Sequence, residues 1–153
     1  LSQLGMPEAR FNVGVVDAGE LMSSGRDHIR FMFSANARME PQPVEKIASG
    51  GEISRVMLSL KALLAEKSKL PTIIFDEIDT GVSGRIADAM GDIIARLAES
   101  MQIVDITHLP QVATKGEHHY LVYKEDTEVR TETHIRELSA EEHEEEIEKM
   151  RRI

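Results

Sequence analysis

A chain of 153 residues with 41% hydrophobic content is long enough for one domain with its own core. Its formal charge of −9 makes the surface a poor match for a phosphate backbone, so basic surface for any nucleic-acid work is expected elsewhere. Cysteine is absent, which excludes disulfides and thiolate metal sites and fits a reducing compartment. No apolar run approaches the roughly 18–20 residues of a membrane span. The first residues lack the charged-then-apolar layout of a signal peptide, so the expected location is cytoplasmic.

Leu1 to Met6 reads as the tail of a helix stopped by Gly5 and Pro7. Phe11, Val13 and Val15 alternate with smaller or polar residues, which predicts a half-buried strand. A loop through Gly19, Ser23, Ser24 and Gly25 follows. Ile29, Phe31 and Phe33 then predict a second strand, antiparallel to the first, and Pro41 and Pro43 punctuate its exit.

Ile47-Ala48-Ser49-Gly50-Gly51-Glu52 opens onto a segment of helical period, with Ile53, Val56, Met57, Leu60, Leu63 and Leu64 on one face. Ser49 occupies an N-cap position, and the paired glycines allow the backbone to approach whatever lies in front. Free N–H groups at such a helix start, with the helix dipole, form a ready anion site; an ordinary capped helix has the same pattern. Arg55, Lys61 and Lys67 are expected on a solvated face.

Thr72-Ile73-Ile74-Phe75-Asp76-Glu77 is the stretch around which the rest is arranged. Its apolar run reads as a parallel-sheet strand buried on both faces. It ends in two adjacent carboxylates, which are costly there unless a cation or a reacting group meets them. Ligands sit at the carboxyl ends of strands in open α/β sheets, so strand-Asp-Glu has the shape of a nucleotide-triphosphatase metal site, although a plain acidic turn is also common.

Ile78 to Gly84 is a turn-rich link into a helix whose apolar face is Ile86, Met90, Ile93, Ile94 and Leu97. Met101 to Ile106 is a further strand, ending in Thr107-His108. Two strands that both end in polar groups and are joined by a helix predict a βαβ unit with both ends on one sheet edge. Beyond it, runs around Leu121–Tyr123 and Val129–Ile135 predict a hairpin at the sheet margin. Ser139 and Glu142 then form a capping box opening an acidic helix, to which no chemistry is assigned. His118, His119, His134 and His143 have no ligand spacing.

The order of these motifs is similar to the C-terminal half of an ABC-type ATPase head. Ala48-Ser49-Gly50-Gly51-Glu52-Ile53-Ser54-Arg55, Ile74-Phe75-Asp76-Glu77, Gly81-Val82-Ser83-Gly84 and Thr107-His108-Leu109-Pro110-Gln111-Val112-Ala113 resemble the RecN family of bacterial DNA repair proteins, relatives of the SMC proteins. The resemblance runs over nearly the whole chain. It implies an α/β fold: the C-terminal lobe of an ABC-type P-loop ATPase head, with parallel strands, flanking helices and antiparallel hairpins. Residues 1–153 would be one lobe, with 1–6 the end of a coiled-coil helix, 7–46 a β-rich lead-in, and 47–153 the motif-bearing region.

The resemblance also implies roles. Ser49, Gly50, Gly51 and Glu52 would form the signature loop that touches the γ-phosphate of ATP held by the other subunit. Asp76 would help hold Mg²⁺, Glu77 would orient or deprotonate the attacking water, and His108 would sense the γ-phosphate. Asp79, Ser83 and Gly84 would belong to the D-loop between subunits. Phosphoryl transfer needs positioning and charge neutralisation more than covalent help, and these groups supply both. The implied cofactors are ATP and Mg²⁺, and the implied partners are a second copy across ATP, the N-terminal lobe of the same protein, and DNA through the full-length protein. No membrane partner and a cytoplasmic, nucleoid-associated setting are expected.

No G-x-x-x-x-G-K-[ST] occurs in the chain. The chain is therefore expected to be a C-terminal fragment holding half of each composite site and unable to hydrolyse ATP alone. The competing readings are a non-catalytic dimerisation module and the head of another SMC-like or transporter-type ATPase.

Overall fold

The computed structural model describes every residue except 48, 49, 69, 128 and 153, and side chains throughout the rest apart from 66 and 68. In chain order it runs β1 (Arg10–Met22), β2 (Gly25–Ser34), β3 (Gln42–Pro43), α1 (Gly50–Ser68), β4 (Thr72–Asp76), α2 (Gly84–Ala98), β5 (Gln102–Ile106), α3 (Pro110–Ala113), β6 (Tyr120–Asp126), β7 (Thr131–Glu137) and α4 (Ala140–Met150). Leu1 to Met6 holds a single 3₁₀ turn, Ser2–Leu4, closed by Gly5 in the left-handed region (φ 75°), where the sequence suggested the end of a longer helix.

β1 and β2 form the expected antiparallel hairpin, but β1 continues through Gly19 to Met22, with an irregularity between Asp17 and Met22. Register pairs Phe11 with Phe33, Val13 with Phe31 and Val15 with Ile29, which puts these six side chains on one face. Only Phe33, at the base, is buried; Val15 is 61% exposed and Phe31 53%. The expected half-buried hairpin is thus buried only at its root, where Phe33, Met6 and Val56 form a small cluster against α1.

β4 and β5 pair in parallel, Thr72 with Gln102 through Asp76 with Ile106, which confirms the βαβ unit. Ile73 and Phe75 point into the main core with Leu58 and Ala65 of α1, Met90, Ile94 and Leu97 of α2, and Val112 of α3. The opposite face is bare: Ile74 is 61% exposed, Ile106 49% and Val104 43%. β4 is therefore buried on one face rather than two, because the helices that form the core gather on the Phe75 side.

The helix predictions fare unevenly. α2 buries Ala87, Met90, Gly91, Ile94 and Leu97, and Ile86 and Ile93 pack against the same core, as its period predicts. α1 is held on two sides instead of one. Val56 and Leu60 face the hairpin root, while Leu58, Ala62 and Ala65 face Phe75. Met57, Leu63 and Leu64 are exposed, against expectation. Nor is the basic face simply solvated: the Arg55 guanidinium donates to Gly51 O (2.9 Å) and Leu4 O (3.0 Å), and Lys61 Nζ lies 5.6 Å from the Phe75 ring centroid.

β6 and β7 pair with each other in a two-stranded sheet of their own and do not extend the β4–β5 sheet as a margin. α4 begins with the predicted capping box: Ser139 Oγ accepts from Glu142 N–H and Glu142 accepts from Ser139 N–H. It docks through His143, whose ring stacks on His119 at 3.3 Å between centroids. Burial first, then the neighbouring His143, holds the His119 imidazole below its ordinary titration range.

Candidate nucleotide site

The parallel register sets the site. With Asp76 opposite Ile106, the chain leaves both strands at one edge, and Glu77 and Thr107-His108 follow side by side. Glu77 N–H donates to Ile106 O (2.9 Å), tying the two exits together. To make that bond Glu77 adopts φ 48°, a left-handed conformation unusual for a residue with a side chain, and strain of this kind collects at functional sites. Its carbonyl accepts from both Thr80 N–H (3.3 Å) and Thr80 Oγ–H (2.9 Å). Asp76 and Glu77 are both exposed, so the carboxylate pair faces outward from the sheet edge.

The turn at 77–80 carries Asp79 back beneath this edge, where it is 2% exposed. Thr107 Oγ–H donates to Asp79 Oδ2, and Leu109 N–H donates to Thr107 Oγ1 at 2.9 Å. His108 Nδ1 lies 3.8 Å from Asp79 Oδ1, beyond hydrogen-bonding range, and that oxygen has no hydrogen-bond partner among the described residues. The imidazole is largely exposed. Asp79 thus touches its own chain's Thr107 turn, while Ser83 and Gly84 sit at the exposed start of α2.

Gly50 and Gly51 open α1, and Gly51 packs on the 79–84 loop: a Cβ there would stand 3.2 Å from Gly81 O. The helix start and the 79–84 loop are one contiguous surface for that reason. Ser49, and with it the predicted N-cap, lies outside the described residues. Glu52 follows on the first turn of α1.

Asp105 was missed by motif reasoning. It lies on β5 opposite Phe75, facing the core, and neither of its shielded carboxylate oxygens has a hydrogen-bond partner among the described residues. Burial, and then the charge of Asp79, push its carboxyl up to about 6. The available signal was parity: an acid at the inward-facing position two residues after Ile103.

No family model matches the chain. Curated relatives do match, among them several DNA repair proteins RecN. That of Haemophilus influenzae is 41% identical over 91% of this chain, and that of Rickettsia bellii 41% over 98%. That of Deinococcus radiodurans is 39% identical over 98% of the chain. The chain is RecN-like along nearly its whole length. It spans about a quarter of the RecN relatives' own length, 25–27%. Among solved structures, the Smc head domain of Pyrococcus yayanosii superposes with a TM-score of 0.72 at 16% identity, covering 98% of this chain and 27% of that one. An SMC ATPase from work on ATP-driven dimerisation and DNA-stimulated activation superposes at 0.64 and 17%, covering 98% and 85%. The fold is that of an SMC head, in α/β form with antiparallel hairpins.

Proposed function

We propose that this chain is the C-terminal part of an ATP-hydrolysing, SMC-like DNA repair protein of RecN type, and that it supplies one half of each composite nucleotide site. The observation that carries this is the shared strand edge, where Asp76-Glu77 and Thr107-His108 leave neighbouring parallel strands and are tied by the Glu77–Ile106 bond. In this reading Asp76 holds Mg²⁺. A single outward carboxylate fits that ion, which keeps several waters and takes its remaining ligands from substrate phosphates, and no cluster of three acidic or imidazole ligands exists among the described residues. The ion would supply charge neutralisation at the phosphates. Glu77 orients the attacking water or takes its proton. His108 presents its exposed ring to the γ-phosphate, and Ser49 to Glu52 cradle the γ-phosphate of the opposing subunit at a helix start.

The bare face of Ile74, Val104 and Ile106 and the apolar face of the β1–β2 hairpin support a further lobe, the N-terminal one, packing on this chain. Dimerisation would occur across ATP, with DNA engaged by the full-length protein in break repair and recombination. Leu1 to Met6 would be where a coiled coil returns to the head. The test is complementation. The chain alone turns over no ATP, and mixing it with the lobe that carries the phosphate-cradling loop restores turnover. Turnover by the chain alone, unchanged by Glu77→Gln, refutes the composite-site reading.

A further inference from the structure

Asp79 presents an unusual combination. It is 2% exposed, one carboxylate oxygen accepts from Thr107, and the other is buried without a hydrogen-bond partner among the described residues. A buried acceptor left unpaired is costly, and for an ionised oxygen the cost is greater still. Nδ1 of His108, on an exposed ring, lies 3.8 Å from that oxygen. A movement of about 1 Å would bring the two within the usual range of a charge-assisted hydrogen bond. Such contacts are often long before substrate arrives and tighten in the reacting complex. Asp105, whose charge is felt at Asp79, adds negative charge rather than a donor above about pH 6, and there the imidazole is a group that can relieve the site. Asp76 and Glu77 also lie at this edge and face outward, Lys61 lies over Phe75, and Glu52 and Arg55 sit on the start of α1 that packs on the 79–84 loop.

We propose that Asp79 is the positioning residue of His108. Its free oxygen captures the Nδ1–H of the imidazole when nucleotide fills the site, fixing the tautomer and turning Nε2 toward the phosphate. Thr107 aims the carboxylate from below, and Leu109 N–H holds Thr107 in place. An imidazole oriented through Nδ1 by a carboxylate is a general way to present the other nitrogen for chemistry. This rests on the proposed nucleotide site for the capture that nucleotide triggers and for its kinetic consequence; the 3.8 Å separation of the resting pair stands apart from it.

The experiment is imidazole ¹⁵N NMR of the full-length protein with a magnesium–nucleotide analogue, together with turnover, in wild type and Asp79→Asn. The expected wild-type signature is protonated Nδ1 and unprotonated Nε2 at His108. Asn keeps an oxygen for the Thr107 hydroxyl, so a merely structural role survives the substitution. Loss of the single tautomer and a fall in kcat of about 10²-fold with little change in KM are expected. The proposal is overturned if wild-type His108 carries its proton on Nε2, a result that needs no variant. It is equally overturned if Asp79→Asn leaves tautomer and kcat unchanged. Should the wild type show no turnover, the ATPase reading fails, while the tautomer still decides this one.

Discussion

The contact between the start of α1 and the 79–84 loop can be tested by pairing two glycine substitutions. A Cβ at Gly51 would meet Gly81 O at 3.2 Å, with Gly81 C and Thr80 O at 3.6 Å. That wall is backbone and does not yield easily: Gly81 is left-handed at φ 75°, Val82 N–H is bonded to Asp79 O, and Thr80 is bonded twice to Glu77 O. A Cβ at Gly50 meets nothing within 4 Å. Helix propensity favours Ala over Gly by at most about 1 kcal/mol at either position. Overpacking opposes it at Gly51 alone, by about 1–3 kcal/mol. Gly50→Ala should therefore be neutral to slightly stabilising, and Gly51→Ala less stable than Gly50→Ala by about 1–3 kcal/mol. Urea unfolding without nucleotide, at unchanged m-value, reads the difference. Equal stability of the two variants would show that the helix start does not rest on the 79–84 loop.

Asp105 makes stability depend on pH. Its carboxyl, raised from 3.8 to about 6 chiefly by burial, keeps its proton in the folded state where the unfolded chain has released it. Stability therefore falls as pH rises from about 4 to about 6, by up to about 3 kcal/mol. Asp105→Asn should remove that slope and be the more stable protein above pH 6; an unchanged slope in pH-dependent thermal melts contradicts this. Phe75, fully buried among α1, α2 and α3, should cost about 3–5 kcal/mol on replacement by Ala, read by denaturant unfolding, and a loss under 1 kcal/mol refutes its central place. Ser139→Ala removes the acceptor for Glu142 N–H and should cost about 1 kcal/mol, visible as faster amide exchange in the first turn of α4; unchanged exchange refutes the cap.

What the sequence made legible was periodic and local. The alternation in Phe11–Val15 and Ile29–Phe33, the helical stripe of α2, the capping box and the polar ends of β4 and β5 are all written in neighbouring residues, and all appear in the fold. What it concealed depends on which neighbours are present. The apolar run of β4 looks fit for two covers, but all its helices lie on the Phe75 side, so Ile74 is left open. The α1 stripe misled because two clusters hold the helix on different sides, and small Ala62 and Ala65 join Leu58 in the main core where larger Leu63 and Leu64 do not. At the site, the adjacency of Asp76-Glu77 and Thr107-His108 was readable from strand order. The inward fold of Asp79 onto Thr107 was not, since it depends on the left-handed turn at Glu77.

The central claim meets its most direct test in the full-length protein, comparing wild type with Glu77→Gln for ATP turnover and for mass in solution with and without ATP. The account predicts that the variant loses turnover yet accumulates an ATP-dependent dimer, because the nucleotide is still bound across the two heads but its water is no longer activated. Turnover equal to that of the wild type, with no ATP-dependent dimer, would contradict the assignment of this strand edge as the hydrolytic one.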